Sequence, residues 1–231
     1  MALTPNSLYE ELSTYFGHQN WWPVDAEYHK DHGTDPRIEV IIGTILTQNT
    51  AWKNVEQVLT NLKKSHNLSI KNIIELPDLQ LRELIKSSGY YNQKTVRLKN
   101  LMNYFDETYK TNLNTFFSRP LSHVREELLT INGIGPETAD SILLYAGEYP
   151  VFVVDAYTKR ISKRIPILTK SDSYEDTQQV FEKYLSKKYG NEKLIFVYQQ
   201  LHALIVELAK NFCKTKPVCV NCPLKNHCSY V

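Results

Sequence analysis

The chain has 231 residues, of which 42% are hydrophobic and 23% charged, enough for one large domain or two small lobes with cores of their own. The formal net charge of +2 is too small to indicate a nucleic-acid partner, so any DNA-binding surface must be local. No apolar run approaches the length of a membrane span, and the N-terminus lacks the apolar core of a signal peptide. We therefore expect no membrane partner and a cytoplasmic location, nucleoid-associated if the source is bacterial.

The first predicted element is an amphipathic helix over residues 5–17, and the sequence Asn20-Trp21-Trp22-Pro23 follows it. Pro23 disfavours a helical conformation at Trp22, so we expect both tryptophans in extended backbone. Their rings either plug a boundary between lobes or form the aromatic wall of a pocket. The polar residues 29–33 predict a loop.

Asp35 and Pro36 form a typical helix start, and residues 38–46 are apolar on almost every side, which predicts a buried helix. Four polar residues, including Gln48 and Asn49, then predict a loop at a surface where a ligand is read. Further helices are predicted over residues 51–65, 69–75, 78–86, 93–109, 121–130, 173–189 and 192–212. Because alternating strand patterns are scarce, the predicted fold class is all-α.

A glycine hairpin, Gly133-Ile134-Gly135-Pro136, lies between apolar residues 128–131 and 139–143. Glycine can adopt positive φ and leaves no side chain over a turn, whereas proline suits the first turn of the next helix. The N–H groups at a helix start attract anions, so the pattern predicts a helix-hairpin-helix that holds a phosphate. The alternative is an ordinary tight turn between packed helices.

A single acid, Asp155, follows the apolar residues 151–154 and precedes a helix that begins at Ala156. Its simplest role is to cap that helix. A carboxylate at this position also lies beside the positive helix end, where it can stay ionised and activate water or stabilise a cation. Residues 156–170 contain five Lys or Arg and no acid, so they form either a DNA-binding face, with Lys159 in its first turns, or a solvated helix face.

All four cysteines lie in the pattern Cys213-x5-Cys219-x2-Cys222-x5-Cys228. In a reducing compartment such a cluster binds metal more often than it forms disulfides. Four thiolates can hold zinc or a 4Fe–4S cluster. One tight pair with long outer gaps favours the iron–sulfur cluster over zinc.

Together, the hairpin, Asp155 and the cysteine tail resemble the helix-hairpin-helix/Gly-Pro-Asp superfamily of DNA glycosylases, and specifically the endonuclease III family. The resemblance implies a six-helix barrel lobe over residues 33–148 and a second lobe of residues 1–32 and 149–231, with a cluster loop at 213–228 and a DNA cleft between the lobes. It implies that Gln48 wedges into the duplex beside Asn49. Hairpin residues Gly133, Ile134 and Gly135, together with Thr138, are then expected to contact DNA. Residues 89–94 are similar to the family's Gly-x-Tyr-x-x-Lys segment.

One departure from the family and one similarity to a branch of it refine this resemblance. Glu137 occupies the position of the lysine with which bifunctional members form a Schiff base, and a carboxylate cannot form an imine. Residues Trp21, Trp22, Pro23 and Trp52 are similar to the branch that removes 3-methyladenine, in which aromatic rings sandwich the flipped base. That branch has a modified lysine where this chain has Leu204, and the member we compare lacks the cysteine cluster.

The predicted function is therefore base excision repair by a monomeric, monofunctional glycosylase that acts on double-stranded DNA containing a damaged base, such as 3-methyladenine. Asp155 would stabilise the developing sugar cation and position water, while the base stacks between Trp52 and Trp21 or Trp22. A cationic alkylated purine suits an aromatic pocket. One alternative is an endonuclease III-like glycosylase and lyase acting on oxidised or mismatched pyrimidines. The other is a non-catalytic sensor of DNA damage.

Overall fold

The structure is a computed structural model and describes residues 3–165 and 173–230. Within these residues it contains α-helices and two short 3-10 helices and no strand, which confirms the all-α prediction. No helix in this part of the chain is both long and apolar enough to cross a membrane. Lys170, the last of the predicted basic residues, lies outside the described residues.

The chain divides into two compact units, which we call the terminal unit (Met1–Trp21 and Glu148–Val231) and the central unit (Trp22–Gly147). The terminal unit contains α1 (Pro5–Phe16), α11 (Ala156–Arg164), α12 (Tyr174–Lys188), α13 (Asn191–Asn211) and the 3-10 helix Lys225–His227. The central unit contains α2 (Ala26–His32), α3 (Arg37–Leu46), α4 (Trp52–Lys64), α5 (Ile70–Glu75), α6 (Asp78–Ile85), the 3-10 helix Lys86–Ser88, α7 (Tyr91–Tyr109), α8 (Leu113–Phe117), α9 (Leu121–Thr130) and α10 (Pro136–Tyr145).

Helix α3 forms the centre of the central unit. Every residue from Ile38 to Leu46 is buried, as the apolar pattern predicts, and the helix packs against α4, α7 and α10. Helix α8 is a short addition that the sequence did not predict, although its residues Leu113 and Phe116 are buried. Five residues are too few to show a helical period, so burial of these two side chains stabilises a helix that the pattern does not reveal.

The predicted loop at residues 29–33 is wrong, because residues Ala26–His32 form α2. Asp25 caps the helix by accepting a hydrogen bond from the Tyr28 amide at 3.0 Å, and Gly33 ends it in the left-handed region at φ 59°. Buried His29 lies 3.2 Å from the Glu39 carboxylate of α3. Within this polar sequence His29 therefore belongs to a buried network, whereas Lys30, Asp31 and His32 are exposed.

The same network explains where the central unit begins. Glu39 also contacts the Lys63 ammonium at 3.0 Å, and that ammonium contacts Asp25 at 3.1 Å. These contacts tie the segment before α3 to helices α3 and α4. The compact central unit consequently starts at Trp22, eleven residues before the boundary expected at residue 33.

In the terminal unit, α1 packs against α12 and α13, and α11 packs against the same two helices. The extended residues Val151–Val154 are buried and lead into α11. The Phe152 ring stacks on Phe181 with ring centroids 4.5 Å apart. The Phe152 amide donates to Glu182 at 2.9 Å, and its carbonyl accepts from Gln178 at 2.7 Å, so α12 satisfies the buried backbone.

Candidate functional site

The hairpin of the central unit joins α9 to α10 through two glycines with different backbone conformations. Gly133 has φ 94°, which favours glycine, whereas Gly135 has φ −97° and is the N-cap of α10. The expectation that both could use positive φ therefore holds for Gly133 alone. Among the described residues, no atom lies within 4 Å of the position that a Cβ at Gly135 would take. The approach to the start of α10 is open at that position.

The amides of the hairpin are not all available to a ligand. The Ile134 amide donates to the Ile131 carbonyl at 3.0 Å, and the Ile134 side chain is buried. The Ile134 amide is thus engaged within the turn, and the DNA contact predicted for this residue stays a prediction. The start of α10 after Gly135 is where an anion would find helix N–H groups.

An ion pair locks the two hairpin helices together. The fully buried Asp140 carboxylate of α10 accepts from Arg125 Nε of α9 at 2.6 Å and from Arg125 Nη2 at 3.1 Å. A bidentate arginine is the geometry that best satisfies a buried carboxylate. Fifteen residues separate the pair, which no local pattern connects.

Gln48 lies against this hairpin in the structure. Its Nε2 donates to the Gly133 carbonyl at 3.2 Å and to the Thr138 hydroxyl at 2.9 Å, and its Oε1 accepts from Arg97. The neighbouring Asn49 is exposed, with φ 52°. Insertion of Gln48 into a duplex would require these hydrogen bonds to break, so the wedge role stays a prediction.

Lys94 connects the Gln48 loop to the loop before α7. Its buried ammonium donates to the Leu46 carbonyl at 2.8 Å, the Thr50 hydroxyl at 2.8 Å and the Ser88 carbonyl at 2.7 Å. Burial lowers the pKa of Lys94 to about 8, and the charge of Arg97 adds to the effect. One side chain therefore links the loop predicted to lie at a ligand-reading surface to the loop before α7.

Trp22, Trp52 and Tyr145 form an aromatic cluster in the central unit. The Trp22 and Trp52 rings meet edge to face, with centroids 5.3 Å apart and planes at 87°, and Tyr145 lies 5.6 Å from Trp22 on a tilted plane. A Cβ at Gly43 would lie 2.7 Å from Trp22 Cζ2, so only glycine leaves room for this ring. Edge-to-face packing is the favoured geometry of an aromatic pair.

This geometry corrects part of the predicted base pocket. Trp22 and Trp52 do not face each other as parallel walls, and their separation leaves no gap for a base between them. Tyr145, which the sequence reading missed, is the third ring. Trp21 belongs to the terminal unit and is partly exposed, and Pro23 is exposed.

Asp155 is the N-cap of α11 and is buried, with 8% of its surface exposed. Its Oδ1 accepts from the Thr158 amide at 2.6 Å and from the Thr158 hydroxyl at 2.8 Å. Its Oδ2 lies 3.6 Å from Nε2 of His202 on α13, a close ionic contact slightly longer than a hydrogen bond. The predicted cap is confirmed, and His202 is a partner that the sequence did not indicate.

Opposing influences set the protonation of this carboxyl. Burial acts to raise the pKa of Asp155, but the contact with His202 and the Thr158 donors outweigh burial and hold the pKa below its ordinary value. An ionised carboxylate at a buried position can stabilise a nearby cation or accept a proton from water. This is the chemistry that the sequence predicted for Asp155.

The basic side chains of α11 have different surroundings. Lys159 lies over the Tyr174 ring, 5.8 Å from its centroid, and is partly buried. Arg160 Nε donates to the Cys213 carbonyl at 2.8 Å, and Arg164 donates to the Lys214 carbonyl at 2.7 Å. Arg160 and Arg164 therefore bind the backbone of the cysteine loop and do not form a solvated helix face.

All four cysteines are free thiols and line one pocket together with Arg164, Phe212, Pro217, Val218, Lys225 and Tyr230. Burial raises the pKa of the Cys222 thiol, and the nearby Cys213, Cys219 and Cys228 raise it further. Arg164 Nη1 lies 3.2 Å from Cys213 Sγ. Over residues 3–165 and 173–230, no three His, Cys, Asp or Glu side chains are grouped closely enough to hold a single metal ion.

Residues 42–187 match the model of the HhH-GPD superfamily of base excision DNA repair proteins, and this range contains both the hairpin and Asp155. The chain belongs to this superfamily. The protein named "Putative DNA repair glycosylase MJ1434" of Methanocaldococcus jannaschii is 43% identical over 96% of this chain and 94% of its own length. Endonuclease III of Thermotoga maritima is 30% identical over 87% of this chain and 85% of its own length.

Among solved structures, that of H. pylori 3-methyladenine DNA glycosylase (MagIII) bound to 1,N6-ethenoadenine covers 90% of this chain, and 98% of that chain is matched. The TM-score is 0.71 and the sequence identity is 28%. Within the HhH-GPD superfamily, this chain is a DNA glycosylase of the endonuclease III family. The family resemblance predicted from the hairpin, Asp155 and the cysteines is thereby confirmed.

Proposed function

We propose that this glycosylase is monofunctional and hydrolyses the N-glycosidic bond of an alkylated purine flipped out of double-stranded DNA. The proposal rests on two residues considered together: Asp155 is buried with a pKa held below its ordinary value, and Glu137 stands at the sequence position of the family's lyase lysine. Glu137 is exposed in the first turn of α10, where the negative charge of a carboxylate interacts favourably with the helix dipole. It offers no amine for a Schiff base.

In the proposed reaction the bond between C1′ and the base nitrogen breaks, and its electron pair leaves with the base. Asp155 Oδ2 stabilises the positive charge that develops on the sugar, because Thr158 already occupies Oδ1. Water then adds to C1′, and its proton passes to the carboxylate or to solvent. A purine alkylated at N3 or N7 is cationic and leaves as a neutral base, so no acid is needed to protonate it.

The aromatic cluster supports a cationic purine as the substrate class. Trp faces attract cations by about 0.5–2 kcal/mol per contact. We assign Trp52, Trp22 and Tyr145 to one stacking surface for the base, with Trp21 and Pro23 as further predicted contacts. The similar H. pylori structure is that of a 3-methyladenine DNA glycosylase, and that name favours a purine alkylated at N3 as the substrate here.

We assign DNA backbone contacts to Gly133, Gly135 and Thr138 in the central unit and to Lys159 in the terminal unit. The open approach to the start of α10 beside Gly135 supports a phosphate there. Gln48 and Asn49 are proposed to contact the duplex where the base leaves the stack. The enzyme is proposed to act as a monomer in the cytoplasm.

The four thiols fit a 4Fe–4S cluster. They line one pocket, and the guanidinium of Arg164 donates toward Cys213 Sγ, which suits a ligand set of anionic thiolates. When bound, the cluster would cross-link residues 213–228 into a compact loop. Iron and sulfide analysis with a visible spectrum tests this assignment: four irons and a brown protein support it, and a colourless protein with one zinc per chain contradicts it.

The function itself is tested with a panel of duplexes that carry single lesions: 1,N6-ethenoadenine, 7-methylguanine, thymine glycol and a thymine mismatched with guanine, together with methylated DNA that contains 3-methyladenine. Free base is measured directly, and strand breaks are measured with and without alkali. We expect release of alkylated purines and breaks only after alkali. Release confined to the pyrimidine lesions would contradict the substrate class.

A second candidate, the endonuclease III-like glycosylase and lyase, is favoured by the 30% identity to an enzyme of that name. Because Glu137 has no side-chain amine, this candidate requires an amine from another residue. Lys94 has a suitably lowered pKa, but it is only 1% exposed and donates to three acceptors, which keeps it from attacking a sugar. Borohydride trapping decides between the two, because a covalent enzyme–DNA adduct forms only with a lyase. Tight binding without base release from any lesion would instead indicate a damage sensor.

A further inference from the structure

His202 is a buried ionisable side chain for which the reaction described above has no role. It lies on α13, with 8% of its surface exposed, among apolar neighbours on that helix that include Leu201 and Ile205. Its Nε2 is 3.6 Å from Asp155 Oδ2, the carboxylate oxygen that Thr158 leaves unoccupied. The histidine and the threonine thus contact different oxygens of one carboxylate.

We infer that His202 is a positioning residue for base release, which holds Asp155 Oδ2 in place and, when protonated, compensates the buried negative charge of that carboxylate. The inference rests on the proposed catalytic role of Asp155. It extends that role by naming the residue that maintains the reactive state of the carboxylate.

The physical argument begins with the cost of burying a charge. A carboxylate removed from water protonates unless donors or an opposite charge compensate for the lost solvation. Thr158 supplies two neutral donors to Oδ1, and both come from the helix that Asp155 caps. His202 supplies the compensation on Oδ2, and it comes from a different helix.

The other groups near this carboxyl do not substitute for His202. From α12, the Tyr174 hydroxyl lies 3.4 Å from the Val154 amide, and the Lys159 ammonium of α11 lies over the Tyr174 ring. Apart from burial, the largest influences on the protonation of Asp155 come from His202 and Thr158, and of these two only His202 has an ionisable side chain. Removal of His202 would leave burial opposed by Thr158 alone, so the pKa of Asp155 would rise.

The inference is tested without DNA by 13C NMR of protein labelled at aspartate Cγ, with the Asp155 signal assigned from Asp155→Asn. We expect the signal to titrate about one pH unit or more higher in His202→Ala than in the parent protein. His202→Gln keeps an N–H donor but no charge, so its midpoint is expected between the two. His202→Gln also serves if the alanine variant does not fold.

Base release supplies the second readout. Single-turnover release from the lesion duplex that the parent enzyme processes fastest should fall in His202→Ala at pH values between the two Asp155 midpoints, in proportion to the carboxylate that is lost there. The acid limb of the rate profile should move to higher pH by the NMR shift. Affinity for a duplex with a tetrahydrofuran abasic analogue should stay within about twofold of the parent value, since no DNA contact is removed.

His29→Gln is the matched control. His29 is 2% exposed and lies 3.2 Å from Glu39, so it is also a buried histidine beside a carboxylate, but neither residue has an assigned role in the reaction. We expect its Asp155 titration and base release to match the parent. An Asp155 midpoint unchanged in both His202 variants would overturn the inference. So would loss of base release in His202→Gln with Asp155 titrating normally, because the histidine would then act other than through the carboxylate.

The outcomes separate this inference from the proposed function. If Asp155→Asn keeps full activity, the catalytic role of Asp155 is wrong, whereas the NMR midpoints still report whether His202 keeps the carboxyl ionised. If Asp155→Asn is inactive and the midpoints do not move, the proposed function stands and the role of His202 is rejected.

Discussion

The starts of helices α10 and α11 use the same physical feature for different purposes. Both helix ends carry the partial positive charge of unpaired N–H groups. At α10 the N-cap is Gly135, which has no side chain, and the space beside it is open. At α11 the N-cap is Asp155, whose own carboxylate bonds the Thr158 amide. We propose that the first helix start accepts an anion from outside, whereas the second holds the carboxylate that takes part in the reaction.

The difference predicts separable phenotypes. Changes around Gly135 should weaken DNA binding and leave the chemical step intact. Changes at Asp155 should stop the chemical step and leave binding intact. The predictions below test this separation, in order of decreasing expected effect.

The largest effect is expected from Asp155→Asn. Asparagine still caps a helix, so the fold should be kept, but it cannot carry the negative charge that stabilises the sugar cation. Single-turnover base release should fall roughly 10²- to 10⁴-fold. Affinity for a duplex with an abasic analogue is the control and should change little. A variant as active as the parent would remove Asp155 from the mechanism.

Trp52→Ala should come next. Loss of one stacking ring costs about 1–3 kcal/mol per base, which corresponds to a roughly 5- to 150-fold slower release of an alkylated purine. Tyr184→Ala, at an exposed tyrosine of α12 in the terminal unit, is the matched aromatic control and should release base at the parent rate. Equal rates for Trp52→Ala and the parent would show that Trp52 does not contact the base.

The two hairpin glycines form a matched pair. Gly133→Ala should lower the free energy of unfolding by about 1–3 kcal/mol, because φ 94° strains alanine and Arg97 occupies the space of the new Cβ. Gly135→Ala has an allowed φ of −97° and open space, so its stability should match the parent. Its methyl group would obstruct a phosphate, and affinity for DNA should fall about tenfold. Thermal unfolding and DNA titration measure both; a normal affinity for Gly135→Ala would exclude the phosphate site.

The smallest effect is expected for Lys94→Met. The pKa of Lys94 is lowered from 10.5 to about 8, so the folded protein releases this proton more readily than the unfolded chain. The charged ammonium therefore costs stability below about pH 8, and this cost disappears as the pH rises toward 10.5. The stability of the parent relative to Lys94→Met should increase by about 1 kcal/mol or more between pH 7 and pH 10. Chemical denaturation at several pH values measures it, and a constant difference would contradict the assigned pKa.

Local patterns were sufficient to predict much of the fold and of the candidate site. The apolar residues 38–46, the glycine hairpin and the cap at Asp155 each depend on neighbours within a few positions, so periodicity and capping rules describe them. The remaining features depend on contacts between distant residues. His202 is 47 positions after Asp155, and nothing in the sequence of α13 distinguishes it from a buried core histidine. The α2 segment was interpreted as a loop for the same reason, because its buried His29 is paired with Glu39 and its cap residue Asp25 with Lys63, both distant in the sequence.

The aromatic residues show a related limit. Their presence near the N-terminus suggested the 3-methyladenine branch of the family, which stays a prediction, whereas their mutual orientation was not predictable. Trp22 packs edge to face on Trp52 because Gly43 leaves space for its ring and Tyr145 contacts it from another helix. Neither residue forms a recognisable pattern with the tryptophans in the sequence.

One titration tests the separation of binding from chemistry most directly. Single-turnover base release from one lesion duplex is measured at increasing protein concentration for the parent, Asp155→Asn and Gly135→Ala, which gives a limiting rate and a half-saturating concentration for each. We predict that Asp155→Asn has a much lower limiting rate but still binds the duplex. Its binding is measured by its ability to compete with the parent enzyme for the same lesion duplex. Gly135→Ala should need about tenfold more protein to reach the parent's limiting rate. If both variants lose rate and affinity in the same proportion, the two helix starts do not have separate roles.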